Sequence, residues 1–452
     1  MAAMDIKTLQ RYDAPVPRYT SYPTAPHFHP GVGAATYRAW LGQIGGEETV
    51  SLYLHVPYCD KLCWYCGCHT KVVRQYAPIA DYAALVRREA ALVAEAIPSR
   101  PRVTHVHWGG GTPTMLSAED FARLMAALRA GFRFDPEAEV AVEIDPRVLT
   151  EAKVAALADS GVTRASLGVQ DLNPEVQEAV NRVQPYELVA RAVDWLRKAG
   201  IRGINFDLMY GLPQQTVERV LDSVDQALAL GPDRVALFGY AHVPWMKTHQ
   251  RLIDEQALPD GEARWRQAEA AAARLVEAGY RRIGLDHFAR REDPMTRALD
   301  EGRLRRNFQG YTDDPADVLL GFGASSIGAL PQGYVQNAVP FKAYGDAIRD
   351  GELAVTRGLQ LDNDDRLRRA VIERLMCDLE VDLDEVAVGF GAAGADFAAE
   401  LQALAAMERD GLVEVTGGTL RIPEPARTLM RTVCAVFDRY LASGAARHSR
   451  AV

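Results

Sequence analysis

Between Ser51 and Tyr240 the chain alternates short β-branched or aromatic runs with helical patterns, as a succession of βα units does. The strand segments are Ser51–Val56, Val103–Trp108, Glu139–Ile144, Arg164–Val169, Gly203–Met209 and Arg234–Tyr240. They often follow one another at roughly 30 residues, the length of one such unit. Between them, Ala80–Ala96, Ala118–Ala130 and Pro185–Lys198 carry apolar residues at helical spacing. Six such units predict an α/β fold built on a parallel barrel, whose active site belongs at or just beyond the C-terminal ends of the strands.

The flanks differ. Residues 1–45 read as an irregular N-terminal arm, rich in Pro and Tyr, whose aromatics must pack or bind something. Residues 46–360 hold the barrel and its extension. Residues 361–452 turn mainly helical, with Asp365–Leu379 and Phe397–Asp410, a Gly-Gly hairpin over Gly411–Pro423 and a last helix through about Leu441. Helices with a two-stranded wing predict a winged-helix-like C-terminal domain. A chain of 452 residues has room for a barrel and a smaller domain. Its net charge of −9 argues against a nucleic-acid surface. No apolar run approaches the roughly 20 residues of a membrane span. The start, Met-Ala-Ala-Met-Asp-Ile-Lys, lacks the features of a signal peptide. A cytoplasmic protein with reduced thiols is expected.

Four of six cysteines fall within ten residues, as Cys59, Cys63, Cys66 and Cys68, spaced C-x3-C-x2-C-x-C. A zinc ribbon needs a second, distant Cys or His pair, and no second C-x2-C exists here. A disulfide framework spreads its cysteines through a small secreted domain. Thiolates at Cys59, Cys63 and Cys66 can each hold one iron of a cubane 4Fe–4S cluster, which four cysteines usually hold. Three would leave one iron open to an outside ligand, as catalytic metal sites do; three incidental thiols are the plainer alternative. Cys377 and Cys434 read as buried core residues.

These three cysteines resemble the cluster motif of radical S-adenosylmethionine (SAM) enzymes. Further segments resemble one family within that group, the oxygen-independent coproporphyrinogen III oxidases. They are Pro17–Thr24, His107–Thr114, Glu143–Pro146, Gly168–Asp171, Asn181-Arg182, Asn205–Pro213, Gly239–His242, Asp286–Arg290 and Arg306–Thr312, in order from about Arg18 to Ile327. The resemblance implies a barrel that is incomplete, a partial (β/α)6-type radical SAM barrel. It implies one 4Fe–4S cluster on Cys59, Cys63 and Cys66, with SAM chelating the open iron and a second SAM beside the first. Cys68 marks the family, yet a fourth ligand would close the open iron, so it is not assigned to the cluster. His69, where Asn is usual in relatives, lies outside the motif spacing.

By the same resemblance, Tyr65 faces the SAM adenine, although a ring that only shields the cluster is the alternative. Gly110, Gly111 and Thr112 belong to a glycine turn that can approach a ligand closely, though a plain tight turn suits the same residues. Glu143, Gln170, Arg182 and Asp207 are implied in SAM binding, with the planar fork of Arg182 suited to a carboxylate. Tyr53, Ala241 and Ile327 join them, the last two as backbone or packing contacts. A substrate with four propionates needs cationic or hydrogen-bonding partners, for which Arg18, Arg290, Arg305, Arg306, Tyr22 and Tyr311 are candidates. The sequence departs from many relatives at Arg291, where they have Pro.

The implied reaction is oxidative decarboxylation of two propionates of coproporphyrinogen III to vinyl groups in heme biosynthesis, without O2. A SAM-derived 5′-deoxyadenosyl radical removes a β-hydrogen, and loss of CO2 and one electron leaves the vinyl group. The expected partners are the tetrapyrrole, an electron donor and an electron acceptor, with no nucleic acid and no membrane, and the expected state is a monomer. A heme chaperone of the same family is the alternative. Such relatives lack both Cys68 and the Arg18–Thr24 arm, and this chain has both. A winged-helix iron–sulfur sensor on DNA would need a basic recognition helix, whereas Asp362-Asn-Asp-Asp-Arg-Leu-Arg-Arg369 is mixed in sign.

Overall fold

A computed structural model describes residues 5–441, apart from 393 and 395. All six expected strands form: β1 (Thr49–Val56), β2 (Arg102–Gly110), β3 (Arg133–Ile144), β4 (Arg164–Gln170), β5 (Gly203–Tyr210) and β6 (Arg234–Gly239). They pair in chain order, and every pairing is parallel. The crossovers are α1 (Ala77–Ala96), α2 (Ala118–Gly131), α3 (Glu151–Asp159), α4 (Tyr186–Lys198) and α5 (Val217–Ala229). Several of these helices start on a hydroxyl cap: Ser117 accepts from the Asp120 N–H, Thr150 from Lys153 and Thr216 from Arg219.

The strands sort their side chains with period two. In β4, Ala165, Leu167 and Val169 are fully buried in the main apolar core, which the helices share. Ser166, Asn205 and Asp207 face the other way and line a polar cavity of about 170 Å³ inside the barrel. Ion pairs floor that cavity: Arg164 with Glu139 at 2.8 Å, and Arg234 with Asp293 at 2.8 Å and Asp313 at 3.1 Å.

The sheet continues past the six strands on both edges. After α6 (Gly261–Glu277), the hairpin β7 (Arg281–Ile283) and β8 (His287–Ala289) joins β6 antiparallel. On the other edge β9 (Val318–Phe322) pairs with β1 in parallel. A meander of β10 (Ile327–Leu330), β11 (Gly333–Asn337) and β12 (Val355–Gln360) follows. The order is therefore β12-β11-β10-β9-β1-β2-β3-β4-β5-β6-β8-β7. β1 and β6 never pair with each other, so the barrel is partial, as expected.

The N-terminal arm is less irregular than its composition suggests. Ile6–Tyr12 is a helix capped by Asp5, and Ala34–Leu41 is another. Leu9, Tyr12, Val16, Tyr19 and Tyr22 share a core with Val371, Leu375, Leu420 and Val433 of the C-terminal region, while Tyr37, Trp40 and Leu41 join the barrel core. The arm's aromatics thus clamp the two ends of the chain together.

That C-terminal region opens with α7 (Asn363–Asp378), started by a capping box between Asp362 and Asp365. It continues with helices Leu383–Gly389 and Ala398–Arg409 and a three-stranded sheet whose hairpin turns at Gly417 and Gly418, both at positive φ. The expected single last helix is broken into Glu424–Leu429, Met430–Cys434 and Ala435–Phe437. It stops there because the Asp438 carboxylate accepts the Tyr440 N–H at 2.9 Å in a local turn. Cys377 and Cys434 are core residues with free thiols. Among the described residues no helix is long and apolar enough to cross a membrane.

Candidate active site

The cysteine loop leaves β1 directly. Tyr58–Cys59 pairs in parallel with Lys71–Val72, so the loop closes on itself. Its backbone is tied down from outside: Trp64 N–H donates to the Val180 carbonyl, and the Asn181 side chain to that of Leu62. From the segment after β6, His249 bonds the Cys66 carbonyl, Gln250 that of Tyr65 and Lys247 that of Cys68.

Each of the three motif sulfurs faces donors. Thr112 Oγ1 lies 3.6 Å from Cys59 Sγ, Arg147 Nη2 and Arg182 Nη1 each lie 3.4 Å from Cys63 Sγ, and the Cys68 N–H lies 3.4 Å from Cys66 Sγ. The Cys68 thiol also hydrogen-bonds to Cys66 and, as the largest influence, holds its pKa down to about 6. Burial pushes Cys59 up to about 11. Donors converging on sulfur are what anionic thiolates require, and hydrogen bonds to sulfur tune an iron–sulfur cluster. Among the described residues no trio of His, Cys, Asp or Glu is grouped to hold a metal ion directly. The donor set fits a thiolate-bound cluster, and Cys68 acts on Cys66. His69 is turned aside and stacks on Phe341 at 5.7 Å between ring centroids.

The glycine turn backs this loop. Gly111 and Thr112 donate their N–H groups to the carbonyls of Val56 and Tyr58. A Cβ on Gly111 would sit 2.7 Å from the Tyr58 carbonyl oxygen, and one on Gly110, at φ +111°, 2.7 Å from the His55 ring. Gly110 is therefore required by close packing against β1, and Gly111 by close packing against the cysteine loop.

Below lies a layer of polar side chains on the barrel's inner face. Glu143 accepts from the Gly110 N–H and bonds His107, each at 3.2 Å. Tyr53 stacks on His107 and bonds His55 at 2.9 Å; burial holds His55 down to about 4. Asp207 accepts from Ser166 at 3.3 Å, and burial, then the Glu143 carboxylate, pushes it up to about 7. Gln170 ends β4 with φ +67°, a strained position for a residue with a side chain. Arg182 is buried with Nη2 on the Gly168 carbonyl, while its Nε has no hydrogen-bond partner among the described residues. Tyr65 packs against the apolar group of Val176, Val180, Leu212 and Tyr240.

Ile327 and Ala241 stand at opposite sides. Tyr53 pairs with Gly321, whose missing Cβ leaves room for the Ile327 carbonyl at 2.7 Å. Ala241 follows β6 and lines a second, larger cavity of about 400 Å³, with Arg18 and Arg306. The other substrate candidates do not line this cavity. Arg305 points outward and bonds the Ala316 carbonyl, because neighbours on a strand face opposite ways. Arg290 follows β8, which runs antiparallel to β6, and so emerges beside Arg234 where β6 begins, at the far end of the barrel. Tyr22 accepts from the Arg439 N–H in the C-terminal core, and Tyr311 donates to the Met376 carbonyl.

Sequence reasoning passed over Arg147, two residues beyond Asp145, which it pairs at 2.6 Å while reaching Cys63. It also missed Gln250, whose amide bridges the Tyr65 and Ala241 carbonyls. Arg147 extends a quoted motif by one residue; Gln250 carries no spacing signal.

Residues 53–227 match the family model of the radical SAM superfamily, and residues 361–429 that of the HemN C-terminal domain. The chain is 54% identical to an oxygen-independent coproporphyrinogen III oxidase of Bradyrhizobium diazoefficiens, over 97% of both chains. It is 45% identical to one of Paracoccus denitrificans, over 99% of both. The structure is similar to that of coproporphyrinogen III oxidase from Escherichia coli, with a TM-score of 0.91 and 37% identity, covering 97% of this chain and 99% of that one.

Proposed function

This chain belongs to the oxygen-independent coproporphyrinogen III oxidases of the radical SAM superfamily, and from that premise we infer that it oxidatively decarboxylates two propionates of coproporphyrinogen III to vinyl groups in heme biosynthesis. The heme-chaperone alternative is not favoured, since the near-full-length relatives carry the oxidase name. The observation that carries the site assignment is the set of donors on the three motif sulfurs.

Cys59, Cys63 and Cys66 would hold a 4Fe–4S cluster. With SAM, that cluster would supply the one-electron chemistry. The chain's own part is to bind, orient and exclude water. Gly110, Gly111 and Thr112 fix the loop behind the cysteines. Arg182, whose Nη1 lies beside Cys63 and whose Nε has no hydrogen-bond partner among the described residues, suits a carboxylate held at the cluster. Glu143, Gln170 and Asp207 offer acceptors to amino and ribose groups, and Tyr65 closes the apolar side. Tyr53, Ala241 and Ile327 flank this region, where a second SAM would share its contacts. Residues 1–45 and 361–452 would brace the 46–360 unit. The reading makes the enzyme a cytoplasmic monomer, served by an external electron donor and acceptor.

The test is anaerobic. The reconstituted protein, given reductant, SAM, coproporphyrinogen III and cell extract as acceptor source, should form protoporphyrinogen IX and 5′-deoxyadenosine. Cleavage of SAM without a vinyl product would leave the radical chemistry and remove the substrate.

A further inference from the structure

The larger cavity opens at the C-terminal ends of β5 and β6, and segments distant in sequence meet there. Arg18 comes from the arm, Arg264 from α6, Arg306 from the strand before Tyr311 and Arg431 from the C-terminal region. A fifth guanidinium, Arg282, is occupied by Glu269 at 3.1 Å and Glu424 at 3.4 Å. Among the described residues two carboxylates, Asp13 and Asp286, line the cavity with these four, and Asp286 is engaged by His287 at 2.7 Å.

Two of these cations have capacity to spare. The Arg306 side chain is only 5% exposed, and its Nε and Nη1 have no hydrogen-bond partner among the described residues; Asp286 is 4.0 Å away. Its face lies on Tyr311 at 4.2 Å, which fixes the direction of the fork. The Arg264 guanidinium lies over the Tyr210 ring at 5.9 Å and makes no hydrogen bond or ion pair among the described residues. It can lie there because Gly211 has no side chain: a Cβ would meet Arg264 Nη1 at 2.5 Å. Burial and the like charge of Arg18 push Arg264 below its ordinary value, and the same causes bring Arg431 down to about 10. Cations crowded in this way gain when an anion enters. Apolar and aromatic surface completes the wall, with Tyr240, Ala241 and the half-exposed Trp245.

We propose that this cavity binds propionate carboxylates of the tetrapyrrole, with Arg264 and Arg306 as the guanidiniums that receive them and Arg18 and Arg431 supporting the field. The assignment rests on the coproporphyrinogen reading above. It orients the substrate: its carboxylate edge lies toward α6, and the propionate that reacts lies across the Ala241 lip, toward the cysteine loop. Gln250 joins that lip to the loop, through Ala241 on one side and Tyr65 on the other.

The test uses the reconstituted full-length enzyme. Binding of coproporphyrin III, with four propionates, should be about tenfold tighter than that of mesoporphyrin IX, with two. Arg264→Ala should raise the KM for coproporphyrinogen III about tenfold or more, with iron content and SAM affinity at wild-type values, and Arg264→Lys should recover part of the loss. Equal affinity for the two porphyrins in the wild type, which needs no variant, would overturn the assignment, and so would an unchanged KM in Arg264→Ala. A wild type that binds coproporphyrin III yet makes no protoporphyrinogen IX would sink the parent reading, while active enzyme indifferent to Arg264 would sink this one alone.

Discussion

The cysteine loop and the arginine cavity meet at the Ala241 lip and are built in opposite ways. In the loop, three thiols from eight consecutive residues face hydroxyl and guanidinium donors from the segments that follow β2, β3 and β4, and a backbone N–H of the loop itself. In the cavity, four cations arrive from segments more than 400 residues apart in the chain, and two carboxylates line it among the described residues. The loop is thus arranged around negative sulfur, the cavity around negative oxygen not yet present. The two should answer to different perturbations.

The largest effect should come from the loop. Cys63→Ala removes a thiol that two guanidiniums converge on, and it should cost at least about a thousandfold in turnover, with loss of the cluster's absorbance. Wild-type iron content in that variant would break the ligand assignment. A second perturbation is pH. Burial and Glu143 raise Asp207 to about 7, so the folded protein holds that proton more tightly than the unfolded chain does. The resulting stabilisation is complete below the ordinary carboxylate value and disappears as pH rises through about 7. SAM donors favour the ionised form, so SAM affinity should fall about tenfold between pH 8 and pH 6. Asp207→Asn should flatten the dependence, and a slope that survives it would remove Asp207 from the site.

Salt should separate the regions further. Raising ionic strength from about 0.05 to 0.5 M should weaken coproporphyrin III binding about threefold, while SAM affinity changes less, because a multiply charged ligand entering a cationic cavity is screened. Equal sensitivity would blur the distinction. The smallest effect concerns Cys68, which donates to Cys66 without being assigned to iron. Cys68→Ser keeps a donor there, so iron content should stay at the wild-type level; a loss of iron would make Cys68 a ligand.

The same contrast explains what could be read from the residues alone. β1 to β6 bury apolar residues on their helix-facing side, so their β-branched runs stand out, whereas β7 to β12 are strands of only three to six residues. The cysteines stood out because thiols on one loop can be read by their spacing. The cavity obeys none: Arg264 and Arg431 lie in helical patterns where an arginine ordinarily meets water. Arg290 looked equivalent to Arg306 by motif, yet the antiparallel return of β8 carries it to the other end of the barrel. Arg305 and Arg306 are adjacent, and only the pleat decides which one faces inward. The arm's helices were hidden by their brevity and by the prolines that follow Tyr12.

The most direct test of this two-part account is a double dissociation under anaerobic conditions. Cluster EPR, its change on adding SAM, and coproporphyrin III binding would be measured on wild type, Cys63→Ala and Arg264→Ala. The account predicts that Cys63→Ala loses the cluster signal and keeps porphyrin binding, whereas Arg264→Ala keeps the cluster and its response to SAM and binds porphyrin about tenfold more weakly. Loss of both properties in both variants would contradict it.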